Sequence, residues 1–87
     1  MTQEYETKYN DFDIQLNIKL NKDNLDVQIY GKIDGFNVNR KGNLKDCIKI
    51  YKSTKNKEYE ILIFKKNANE LWIHNIENGY NNKIFDF

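Results

Sequence analysis

The chain has 87 residues, 39% hydrophobic and 31% charged, with a formal net charge of +1. That length supports one modest core, and the composition excludes a disordered chain. The near-neutral charge also speaks against a dedicated nucleic-acid-binding domain, which is normally clearly basic. The longest unbroken apolar run, residues 61–64, is far short of a membrane span, and the polar, acidic N-terminal stretch has no signal-peptide pattern. A single cysteine, Cys47, cannot form an internal disulfide. A cytoplasmic protein with no membrane association is therefore expected. The chain has no proline and only four glycines, which leaves fourteen asparagines to supply most of the turn chemistry.

Residues 1–10 are polar without periodicity and are expected to form a flexible arm, with 11–87 as a single β-rich domain. From Phe12 to Leu20 every second residue is apolar: Phe12, Ile14, Leu16, Ile18 and Leu20 lie on one side and Asp13, Gln15, Asn17 and Lys19 on the other. Strict alternation over nine residues fits a half-buried antiparallel strand and not a helix. A turn at residues 21–24 leads to a second alternating run, Leu25, Val27 and Ile29, completing a hairpin. Asp34-Gly35 is a tight-turn dipeptide, after which Phe36 and Val38 alternate until residues 41–43.

Residues 44–54 read two ways. As a helix, Leu44, Cys47, Ile48 and Tyr51 share a face behind an Asn43 cap. As a strand, Ile48 and Ile50 face inward and residues 53–57 form a hairpin loop. The β-branched pair and the neighbouring strand favour the second reading, since eleven residues are marginal for a helix.

Residues 59–64 (YEILIF) are apolar on both faces and predict the most buried strand. Residues 71–74 form another, Asn78-Gly79 signals a hairpin, and residues 83–87 close the chain. Strand starts every 11 to 13 residues predict a mainly β fold: an antiparallel meander of six or seven short strands in a small barrel or sandwich. The alternative is an antiparallel sheet with one helix near residues 43–54. Phe12, Phe36, Tyr59 and Phe64 are assigned to the core, and Tyr30, Tyr51, Trp72 and Tyr80 to the surface.

No constellation for catalysis emerges. His74 is the only histidine and Ser53 the only serine. A zinc site needs three or four ligands, and neither His74 nor Cys47 has a second ligand nearby in sequence. The acid pairs Glu58/Glu60 and Asp11/Asp13 read as solvent-facing residues of an edge. Neither a phosphate-binding glycine loop nor a calcium loop is present. A non-enzymatic protein without cofactor or metal is expected.

Charge is unevenly distributed. Residues 1–39 carry a net −3, residues 40–57 a net +6 and residues 58–87 a net −2. This basic centre, with nearby exposed aromatics, gives the candidate interaction surface: Arg40, Lys41, Lys45, Lys49, Tyr51, Lys52, Lys55 and Trp72. Thirteen lysines against one arginine argue against base or phosphate recognition, which favours arginine. The expected role is a protein-binding domain that meets an acidic partner as a small inhibitor or adaptor. Phage and mobile-element products that block a host enzyme or defence nuclease are often of this kind. The alternative is nucleic-acid binding through residues 40–57 and the aromatics. Unpaired edges at residues 71–74 or 83–87 suggest a homodimer.

Overall fold

In the computed structural model, which describes residues 2–87, eight antiparallel strands form two four-stranded sheets. The first sheet runs β1 (Glu4–Asp11), β2 (Ile14–Asn21), β3 (Asp26–Ile33), β4 (Phe36–Asn43). The second runs β5 (Ile48–Ser53), β6 (Glu58–Lys66), β7 (Glu70–Asn75), β8 (Tyr80–Asp86). Each strand pairs with its neighbour in sequence, so both sheets are pure meanders. The architecture is mainly β and antiparallel, as the alternation predicts. It has eight strands instead of six or seven, in two open sheets instead of a closed barrel.

Side-chain alternation builds the core. Ile14, Leu16, Ile18 and Leu20 of β2 face inward beside Val27, Ile29 and Ile33 of β3, and all are buried. The second sheet contributes Ile48, Ile50, Tyr59, Ile61, Ile63, Leu71 and Ile73. Together these residues form one apolar cluster, which makes a strand shift of one residue costly: it would turn a whole apolar set outward.

Several expectations are corrected. Residues 4–11, expected within a flexible arm, are strand β1, paired along its full length with β2; Tyr9 and Tyr5 lie opposite Leu16 and Leu20 on the core side. That strand displaces Phe12 into the β1–β2 turn, where it is 96% exposed instead of in the core. Phe36 is also largely exposed, and Phe64 sits half-buried on the outer face of β6 opposite Trp72. The helix alternative near 43–54 fails because Ile48 and Ile50 both enter the core from a strand, a two-residue period. Residues 71–74 belong to β7, which is interior; of the two expected edges only β8 is one. Asp11 and Asp13 do not share a strand, since Asp13 lies in the turn; Glu58 and Glu60 do lie together, but on β6, an interior strand and not an edge.

Turn chemistry fixes the hairpins. Asp34 (φ 51°) and Gly35 (φ 81°) are both left-handed, as a two-residue turn matching the twist of β3 and β4 requires. Gly31 has a different reason. It lies inside β3, and a Cβ there would overlap the carbonyl oxygen of Gln15 on β2. Only glycine allows the two backbones to approach that closely.

Candidate functional site

The two sheets meet along two seams. At one, β1 and β8 are joined by aromatic contacts, Tyr5 with Phe85 at 5.8 Å and Tyr9 with Tyr80 at 6.3 Å between ring centroids. At the other, β4 and β5 are the edges of their sheets and are connected by residues 44–47. Here a Cβ on Gly42 would lie 3.1 Å from the Ile48 side chain, and the Lys52 ammonium stands 5.1 Å over the Phe36 ring.

The basic centre of the sequence wraps this second seam, and the register divides its residues among several surfaces. Arg40 lies opposite Ile29, on the core side of β4, yet it is exposed because no strand continues the sheet beyond it. Lys41, opposite Gln28, points to the outer face of the first sheet. Lys45 is in the connection and Lys55 in the β5–β6 turn, both exposed. Lys49 and Tyr51 share the outer face of β5, whereas Lys52 alternates to the inner side. Trp72 shares the outer face of the second sheet with Lys49 and Tyr51 but lies on β7, beyond β6. Its indole N–H donates to Glu70 at 3.2 Å, and the Lys66 ammonium stands 4.4 Å over its ring. The eight candidates thus do not form one continuous surface; those on β4, β5 and their connection border the seam, and Trp72 does not.

Ion pairing sorts the cations further. Lys49 meets Glu60 at 3.6 Å and Lys57 meets Asp13 at 3.8 Å. Among the described residues Arg40, Lys41, Lys45, Lys52 and Lys55 have no carboxylate within ion-pairing distance. The Glu58 carboxylate beside the Tyr51 hydroxyl, followed by desolvation, holds its pKa above the usual tyrosine value.

The outer face of the first sheet carries ordered rows of polar side chains that follow from strand register. Register places Glu6, Lys19, Gln28 and Lys41 in one row and Lys8, Asn17, Tyr30 and Asn39 in the next. The Tyr30 hydroxyl donates to Glu6 at 2.6 Å, and Lys19 stands 5.9 Å over its ring. At the end of this face a shallow groove of about 650 Å³ runs between Glu4, Lys19, Asp26 and Lys41. Its mixed charges select no single class of ligand.

At the far end of the molecule a polar cluster clasps the sheets together. Thr54 donates to Asp34 at 2.7 Å, and the Asn56 amide donates to the same carboxylate at 3.0 Å. Tyr59 is buried against this cluster. Burial first, then the charges of Asp13 and Asp34, push its pKa up to about 12.

Cys47 and His74 lie on different elements: Cys47 is exposed in the β4–β5 connection, and His74 is half-buried on β7 opposite Leu62. Desolvation raises the Cys47 thiol above its ordinary pKa, the reverse of nucleophile activation. No helix of the described residues is long and apolar enough to cross a membrane. No protein-family model matches the chain, and no curated protein or solved structure compared with it is similar to it.

Proposed function

We propose that this domain works by binding a protein, as a small inhibitor or adaptor, and that it meets an acidic surface of its partner with the β4–β5 side. The reading rests on one observation: four cations of the 40–57 segment, Arg40, Lys41, Lys45 and Lys52, border this seam and have no carboxylate counterpart among the described residues. Unpaired surface charge of one sign steers an oppositely charged partner and accelerates encounter. Arg40 and Lys52 add specificity, because each stands beside exposed or half-buried apolar surface, Val38 and Phe36, that a partner can cover.

The test is kinetic. A partner recovered from lysate treated with nuclease is measured against the wild type and the triple variant Arg40→Glu, Lys41→Glu, Lys45→Glu. Association should slow by about tenfold or more, with dissociation changed less, and added salt should weaken the wild-type complex moderately. If the target is nucleic acid, affinity falls log-linearly and steeply with salt, and Tyr51→Ala costs about 1–3 kcal/mol through lost base stacking. That outcome overturns the protein-partner reading.

A further inference from the structure

The free edge of β4 is the least finished part of the fold. Ile33 and Phe36 close the two-residue turn at Asp34-Gly35, and the Leu44 amide donates to the Leu25 carbonyl at 2.9 Å at the other end of the hairpin. Both fix the same phase of the antiparallel ladder. Phe36, Val38, Arg40 and Gly42 direct their N–H and C=O groups toward β3, whereas Asn37, Asn39 and Lys41 direct theirs out of the sheet. No described residue bonds to these outward groups.

The side chains are unfinished too. On β5, the edge across the seam, the core-side residues Ile48 and Ile50 are buried. On β4 the core-side residues are not: Phe36 is 46% exposed, Val38 is half-buried and Arg40 is exposed. An edge with six open backbone groups and a row of exposed core-side residues is a template for one more strand.

We propose that an extended, acidic segment of the partner adds to β4 as a fifth strand of the first sheet. Its core-side residues are apolar beside Phe36 and Val38, and carry a carboxylate at Arg40. This deepens the acidic-partner reading and rests on it. Charge selects the occupant: a second copy pairing β4 with β4 would set Arg40 and Lys41 of the two copies within a position or two of each other, and like charges across a ladder are destabilising. An acidic strand turns that repulsion into attraction.

The test uses the full chain, labelled with ¹⁵N, and a blocked synthetic peptide matched to the eight residues of β4, with valine at the core-side positions beside Phe36 and Val38 and glutamate at the core-side position beside Arg40 and at the outward-facing positions. Controls are the same peptide with lysine for glutamate and the same peptide with methylated backbone nitrogens. The glutamate peptide should bind saturably and slow amide exchange at Asn37, Asn39 and Lys41 by about tenfold or more. Arg40→Glu should weaken it by a similar factor, and both control peptides should fail. Binding that needs glutamate and Arg40 but leaves those three amides unprotected overturns strand addition, while the acidic-partner reading stands. Equal binding of the lysine peptide, or no saturation up to millimolar glutamate peptide, overturns the proposal. Protection of the same amides that grows with protein concentration alone assigns the edge to a second copy and overturns it as well.

Discussion

Thr54 and Asp34 are 20 residues apart in the chain, yet the Thr54 hydroxyl lies 2.7 Å from the Asp34 carboxylate and ties the β5–β6 turn to the β3–β4 turn. The same hydroxyl accepts from the amides of Asn56 and Lys57, each at 3.2 Å, so one side chain both shapes its own turn and holds the opposite sheet. A hydrogen bond to a charged acceptor in a partly buried setting contributes about 1.5–3 kcal/mol.

Thr54→Val should therefore destabilise the domain by about 2 kcal/mol in urea unfolding. Asp34→Asn keeps the left-handed backbone, since asparagine tolerates that region, and isolates the charge. In a double-mutant cycle the two substitutions should be coupled by about 1 kcal/mol or more. Additive losses would mean that the bond contributes nothing across the sheets.

Gly31→Ala should be among the most damaging single changes. The added methyl would meet the backbone of Gln15, which cannot swing away as a flexible side chain would. Loss of more than about 2 kcal/mol is expected, and circular dichroism during thermal melting measures it. Gly35→Ala meets no neighbouring atom and should cost less, through its φ of 81° alone.

Alkaline pH should unfold the protein through two tyrosines. Burial, followed by the charge of Asp11, pushes Tyr9 up to about 12, and Tyr59 reaches a similar value. In the unfolded chain both titrate near about 10, so the native state holds these protons more tightly. That stabilisation is complete below about pH 10 and is lost as pH rises toward 12. Tyr9→Phe should shift the alkaline midpoint upward without loss at neutral pH, because the Tyr9 hydroxyl is buried without a partner among the described residues.

Cys47 should behave as an accessible but sluggish thiol. It is exposed, and desolvation raises its pKa. Its alkylation by iodoacetamide at pH 7.5 should run slower than that of free cysteine and accelerate toward pH 9–10. A rate above that of the free amino acid would indicate an activating neighbour.

The inner face of the fold was readable in advance because burial imposes a two-residue period, as in Ile14–Leu20 and in Ile48 with Ile50. β1 was not readable for a physical reason: it is an edge strand whose core-side residues are Tyr5, Thr7 and Tyr9, amphipathic groups that leave no clean alternation. Phe12 and Phe36 misled because composition reports hydrophobicity, whereas exposure depends on where a turn or a sheet edge falls. The basic segment was visible as charge along the chain. Its division across two sheets and a seam depends on alternation and register, which charge along the chain does not report, and Trp72 lies two strands away from β5.

The two meanders also divide the chain into two consecutive halves joined once, through residues 44–47. Every ladder lies within one half, and the halves are held together by side-chain packing, the bonds of Thr54 and Asn56 to Asp34, the Lys57–Asp13 ion pair and the seams. Such a connectivity suits reassembly from fragments: a break in the connection interrupts no ladder, so separate peptides ending and beginning there can fold by docking on one another. It also makes the connection a hinge through which two molecules could trade halves, each apolar face finding in its neighbour the cover it normally finds in its own chain.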